Sequence, residues 1–265
     1  MIMTKNGKYK IGALLTPPKI IRESFYLLKT YASLGVLASY YMTRNDGKRF
    51  RTKYKEQLVE FETIKKKLVL SNDWFSSNLP FWLSIIDEYR LKEKNLMALE
   101  IGSWEGLSSY FILSAMPNAH LTCVDTWEGA DEHKDSSVSS SEVLNRIESN
   151  FDKNLSVYSD RLSKYKGTSH SFFNNNFVRG HYDFIYVDGS HHCDDVITDA
   201  IKCFEMLKVG GIMVFDDYFW HYYPEAKDNP AAAINLFLRL KGDSCRIIRL
   251  YYQIAIVKTS ERRAQ

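Results

Sequence analysis

Prolines are few, six in 265 residues, glycines number only 13, and no internal repeat or low-complexity tract divides the chain, which excludes collagen-like, solenoid and proline-rich classes. Four cysteines, Cys123, Cys193, Cys203 and Cys245, form no CxxC pair, so neither a disulfide scaffold nor a paired-cysteine zinc site is indicated. Cys123 and Cys203 fall in apolar strand or helix patterns and read as reduced, structural thiols. No apolar run reaches the roughly 20 residues that a membrane span needs. The richest stretch, residues 25–42, is interrupted by Lys29 and several Ser and Thr. It also lacks the marks of a secretory signal, because it sits late, follows Pro17-Pro18 and has no small-residue cleavage site. What is present is a chain with 45% apolar side chains, enough for a full core.

The small net charge of +3 conceals an asymmetry: residues 1–70 carry +10 and the remainder −7. A basic leader of this kind can meet acidic lipid, nucleic acid or an acidic partner, or can be a solvated face. Residues 1–20 are expected to be poorly ordered. One apolar helix is expected over 20–42, a turn at Asn45-Asp46-Gly47, a charged amphipathic helix over 53–70, and a further helix over 74–89. The helix at 20–42 suits packing on the domain, on a second subunit of a homo-oligomer, or at a membrane surface. From residue 96 strands and helices alternate, the mark of an α/β fold. Strands are expected at 97–101, 121–125, 162–166, 183–188 and 212–216, with a terminal pair at 246–250 and 253–258. The implied division is a basic helical extension at 1–70 and an α/β domain at 71–265.

Two of these runs carry the chemistry. Tyr182-Asp183-Phe184-Ile185-Tyr186-Val187-Asp188-Gly189-Ser190-His191-His192 and Gly210-Gly211-Ile212-Met213-Val214-Phe215-Asp216-Asp217 each end in carboxylates and are separated by a helix-length segment. They read as neighbouring parallel strands whose acidic tips meet at one sheet edge, where open α/β sheets place ligands. Three carboxylates and two histidines are costly to crowd together without a cation, a substrate or solvent. Upstream, Gly102 lets the chain turn sharply and lets a ligand approach the backbone, while Gly106 opens a helix whose free N–H groups face the same space. The segment is not the GxGxxG dinucleotide pattern. Asp125, 23 residues after Gly102, stands at a strand tip where a carboxylate can accept from both hydroxyls of a ribose.

Taken together, LEIGSWEGLSS, the strand ending in Asp125, YDFIYVDGSHH and LKVGGIMVFDDY resemble the class I S-adenosylmethionine-dependent methyltransferases, most closely the metal-dependent O-methyltransferase branch that includes catechol and sugar methyltransferases. The resemblance covers residues 73–258 and leaves 1–70 outside. It implies a Rossmann-like seven-stranded sheet in the order 3-2-1-4-5-7-6, the last strand antiparallel, with helices on both faces. By position, Glu100, Gly102 and Ser103 would line the methionine end of S-adenosylmethionine, Gly106 at the helix start would be a further cofactor contact, Asp125 would hold the ribose, Trp127 would flank the nucleoside, and Ser169 and His170 would reach the adenine. Thr168 replaces the acidic residue commoner in that loop. Asp188, Asp216 and Asp217 would bind a divalent cation such as Mg2+. Asp217 departs from the Asn of the catechol type and matches the sugar type. His191, three residues after Asp188, is the candidate base, with His192 as its alternative.

The activity so implied is methyl transfer to a hydroxyl of a saccharide, a glycosylated metabolite or a small phenol. It is an in-line displacement that needs alignment and a deprotonated oxygen. The aromatic run Tyr218-Phe219-Trp220-His221-Tyr222-Tyr223 is expected to wall an acceptor pocket, and the polar loop at 128–141 reads either as a lid or as a surface loop. Two alternatives stand beside this: a metal-independent methyltransferase of the same fold, and a non-catalytic nucleoside-binding or membrane-associated interaction protein. A nucleic-acid substrate ranks low, because the basic residues lie far along the chain from the motifs. A cytoplasmic location, with peripheral membrane contact through the basic segment, completes the expectation.

Overall fold

Seven strands form one sheet in the order β3-β2-β1-β4-β5-β7-β6. The computed structural model describes residues 18–129 and 141–261, so residues 1–17 of the segment expected to be poorly ordered and nearly all of the polar loop at 128–141 lie outside the described residues, while Lys19 and Ile20 are helical. β1 (Leu96–Ile101), β2 (Ala119–Asp125), β3 (Leu162–Lys166), β4 (Tyr182–Val187) and β5 (Leu207–Phe215) run parallel. β7 (Ile254–Lys258) lies antiparallel between β5 and β6 (Cys245–Leu250). From β1 the chain winds outward to β3, returns to β4 beside β1 and winds the other way. The crevice of such a sheet opens at that reversal, beyond the carboxyl ends of β1 and β4.

Alternation along the strands feeds two cores. Ala98, Phe184, Tyr186, Ile212 and Val214 face one side with α5 (Leu79–Glu88), α6 (Leu107–Ala115) and α8 (Ile147–Leu155). Leu99, Ile185, Val187, Met213 and Phe215 face the other with α9 (Ser169–Asn176), α10 (Cys193–Met206) and α11 (Pro230–Lys241). A short α7 (Ser141–Leu144) precedes α8. α9 begins where a loop was expected. Thr168 caps it, its hydroxyl accepting from the Ser171 amide at 3.1 Å. All four cysteines are free thiols.

The extension is built differently from the expectation. Residues 20–42 form α1 (Lys19–Lys29) and α2 (Leu34–Thr43), broken where Tyr31 takes a left-handed φ of 61° and Ser33 caps α2 through the Val36 amide. The expected turn at Asn45-Asp46-Gly47 is instead the start of α3 (Asp46–Lys53), followed by α4 (Lys55–Lys65). Leu27, Val36 and Tyr40 are buried in the second core. Asn235 on α11 donates to the Thr30 carbonyl at 3.0 Å, and Tyr26 donates to the Trp220 carbonyl at 2.8 Å. The described helices of the extension are thus part of the wall around the sheet edge. No helix among the described residues is long and apolar enough to cross a membrane.

Candidate active site

The turn from β1 into α6 is shaped by what lies behind it. Gly102 has φ +84°, and a Cβ there would stand 1.8 Å from the Asp188 carbonyl oxygen. The absence of a side chain at Gly102 thus lets the β4 turn pack directly against the β1 turn. Asp188 N donates to the Ile101 carbonyl at 2.8 Å, so the two strand tips are fastened together. Gly106 caps α6 with φ +82°, and Leu155 and Phe151 fill the space a side chain would need.

Glu100 is buried at the end of β1. Its Oε2 accepts from Ser103 Oγ at 2.8 Å, from Ser109 Oγ, and from the Cys123 thiol at 3.3 Å, while Oε1 has no hydrogen-bond partner. Burial pushes its carboxyl above the usual range. Asp125 ends β2. One of its oxygens accepts from the amides of Ser103 and Trp104 at 2.7 and 2.8 Å, and the other from the Trp127 amide at 2.7 Å. A carboxylate has about four acceptor sites, so Asp125 ties both turns and keeps capacity for one further donor.

Trp127, expected to flank a nucleoside, is a buried residue next to the β2 tip. Its ring is buried against Phe151, Lys164 Nζ stands 4.5 Å from its centroid, and its indole N–H donates to the Trp104 carbonyl at 2.9 Å. At the third tip, Ser169 begins α9 near Asp199, whereas His170 is exposed. Trp104, Trp127 and Asp217 all hold positive φ without being glycine, at 46°, 54° and 54°. Such backbone is costly and gathers at sites that the surrounding structure over-determines.

The acidic tips meet as expected, but with a different division of labour. Ligand atoms of Asp188, His191 and Asp217 all lie within 4.8 Å of one another. His191 Nε2 and Asp217 Oδ2 are 2.6 Å apart, and the His191 ring stacks on Trp220 at 4.4 Å. His192 turns away and stacks on Tyr223 at 4.7 Å. Asp216, expected with Asp188 and Asp217 as a metal ligand, is buried and directed to partners within the fold. Its Oδ2 accepts from Tyr186 Oη and from Gln253 Nε2 at 2.7 Å, and its Oδ1 accepts from the Asp217 amide at 2.6 Å.

Tyr186 Oη also stands 3.0 Å from Asp188 Oδ2. One hydroxyl proton cannot serve both carboxylates fully. Burial and the neighbouring Asp217 push Asp216 upward, and burial with both neighbouring aspartates does the same to Asp188. Ionising both carboxylates there is costly, and a cation held among them would offset that cost.

Several of these partners carried no signal in the sequence. Gln253 joins Asp216 to Trp82, whose indole N–H donates to Gln253 Oε1 at 2.7 Å. Tyr252 donates to Asp217 Oδ1 at 2.9 Å. Glu105 is buried and accepts from the Ser71 amide at 2.6 Å and from Asn150 Nδ2 at 2.7 Å, fastening the end of the extension to the β1 turn. Beside Tyr252 a cavity of about 530 Å³ opens, lined by Lys19, Glu23, Tyr40, Arg44, Phe219 and Tyr251 among others. Of the aromatic run expected to wall a pocket, Phe219 lines this cavity. Tyr218 is core, donating to Asn235 Oδ1 at 2.7 Å, and Tyr222 is exposed. The extension supplies much of the remaining wall.

Residues 99–218, just under half of the chain, match the family described as Methyltransferase domain. No curated protein sequence matches the chain. Among solved structures, a putative caffeoyl-CoA O-methyltransferase from Staphylococcus aureus is similar at 15% identity and TM-score 0.53, over 81% of this chain and 99% of that one. The MycE methyltransferase of the mycinamycin biosynthetic pathway, solved with Mg, SAH and mycinamycin VI, is similar at 16% identity and TM-score 0.51, over 84% of this chain and 57% of that one. The strand order, the switch point between β1 and β4 and the domain match together give this chain a Rossmann-like methyltransferase fold.

Proposed function

We propose that this chain is an S-adenosylmethionine-dependent O-methyltransferase whose acceptor hydroxyl is activated at Asp188, His191 and Asp217 with help from a divalent cation. The observation that carries this reading is the fastening of the two halves of the site: the Gly102 turn rests on the Asp188 carbonyl, so a ligand on the first turn lies beside the acidic cluster. The residues fit the cofactor. Glu100 Oε1 is a buried acceptor with no partner, suited to an ammonium, and Asp125 retains capacity for a ribose hydroxyl. They also fit a cation. Asp188 and Asp217 offer hard oxygen donors for Mg2+ or Mn2+. Asp216 supports them through Tyr186. The S. aureus structure is titled an O-methyltransferase and the MycE structure names Mg and SAH, which favours the same assignment.

In the displacement the acceptor oxygen forms a bond to the methyl carbon as the carbon–sulfur bond breaks, and the hydroxyl proton must leave. A divalent cation bound there would supply Lewis-acid polarisation of that hydroxyl. His191 takes the proton. Asp217, hydrogen-bonded to its Nε2, orients the ring and stabilises the imidazolium. Trp220 fixes the ring plane from the other side. The acceptor class is a saccharide, a glycosylated metabolite or a small phenol. The test is transfer of labelled methyl from S-adenosylmethionine to a panel of catechols and glycosides with Mg2+ or with chelator. Transfer that requires the metal and falls at least 100-fold in His191→Ala supports the reading. Transfer indifferent to both would leave a metal-independent methyltransferase.

A further inference from the structure

The cavity of about 530 Å³ beside the acidic cluster contains a cation that the proposed chemistry does not use. Arg44, the residue after α2, lines it together with Lys19, Glu23, Tyr40 and Phe219. The Nη1 of Arg44 is buried and has no hydrogen-bond partner. Among the described residues its guanidinium forms no ion pair. Its Cζ stands 5.0 Å from the centroid of the Tyr41 ring. A buried donor left unsatisfied is costly, and a guanidinium is shaped to take a carboxylate through two parallel hydrogen bonds.

The charges nearby are already engaged. Glu23 accepts from Tyr40 Oη at 2.5 Å and lies 3.5 Å from Lys19 Nζ, so the carboxylate of the wall is occupied and Arg44 supplies the net positive charge. Tyr252 lines the same cavity and donates to Asp217 Oδ1, so one side chain links a molecule held there to the acidic cluster. Phe219, Tyr40, Tyr251 and Tyr252 give the space aromatic walls.

We infer that this cavity is the acceptor site and that Arg44 anchors a carboxylate on the acceptor, so that the substrate is an acidic hydroxylated molecule with its carboxylate at Arg44 and its reacting hydroxyl toward Asp217. One net positive charge suits a monoanion better than a phosphate dianion. As a statement about the methyl acceptor this rests on the proposed methyltransferase reading. As a statement about anion binding it stands on the cavity alone.

The test uses the whole protein and three acids, 3,4-dihydroxybenzoate, 3,4-dihydroxycinnamate and glucuronate, each beside its neutral primary amide, titrated by calorimetry into wild type and Arg44→Gln. At least one acid is expected to bind tenfold or more tightly than its amide, and Arg44→Gln is expected to erase the difference while leaving the melting temperature and the affinity for S-adenosylhomocysteine unchanged. No acid preference in wild type, or a preference that survives Arg44→Gln, overturns the inference. An Arg44-dependent preference in a protein that does not bind S-adenosylhomocysteine would keep the anion site and remove the methyltransferase reading.

Discussion

Substituting Gly102 by alanine tests whether the two strand tips are fastened as described. Two costs apply. The residue holds φ +84°, where an L side chain costs about 1–2 kcal/mol. The new Cβ would also meet the Asp188 carbonyl oxygen at 1.8 Å, its carbon at 2.5 Å and Gly189 Cα at 2.9 Å, all backbone atoms that cannot swing aside as a flexible side chain can. Overpacking of this kind adds typically about 1–3 kcal/mol, so the total is about 2–5 kcal/mol. Gly210→Ala is the matched control, because φ there is +83° with nothing within 4 Å, leaving only the conformational cost. At about 2–4 °C per kcal/mol for a chain of this size, Gly102→Ala should melt roughly 5–20 °C below wild type and Gly210→Ala no more than about 8 °C below. Thermal unfolding followed by circular dichroism reads both. Equal melting temperatures for the two variants would refute the close contact between the β1 and β4 turns.

Two further predictions concern charge. Asp199, buried on α10 beside Ser169, has its carboxyl pushed from 3.8 to about 7 by desolvation. The folded state therefore holds a proton that the unfolded chain releases between those values, so this group's contribution is full below the lower pKa and lost as pH rises through the upper one. Asp199→Asn should match wild type near pH 4 and be more stable at pH 8, by at most on the order of 4 kcal/mol at 1.36 kcal/mol per pH unit; urea unfolding at the two pH values checks this, and a constant difference contradicts it. For the acidic cluster, Mn2+ or Mg2+ should raise the melting temperature of wild type by binding the folded state, and Asp217→Asn should abolish the increase. A shift that persists in the variant would put the cation elsewhere.

Much of the sheet was legible because strand signals are local. Leu162–Lys166 agrees with its expected bounds, and β4 and β5 are marked by continuous apolar runs ending in aspartate. The strand order came from the resemblance, and the solved relatives share the architecture. Helix breaks were less legible: nothing apolar or polar interrupts the pattern at residues 30–33 strongly enough to reveal a left-handed Tyr31, and Asn45-Asp46-Gly47 serves as a helix start as readily as a turn. At the site, the acidic tips were visible as residue types, but their directions were not. Whether Asp216 or Asp217 faces the crevice depends on one dihedral at φ 54°, and Gln253, Tyr252 and Glu105 reach the site only through tertiary packing. The cavity wall built by α1 and α2 lay outside the resemblance altogether.

The central claim, that the crevice at the ends of β1 and β2 takes S-adenosylmethionine, is tested most directly by calorimetric titration with S-adenosylhomocysteine. Asp125→Ala serves as control, its circular dichroism recorded to confirm folding. Saturable binding with one site per chain, lost in a folded Asp125→Ala, is the predicted result. An intact protein that shows no binding at millimolar ligand would contradict the account.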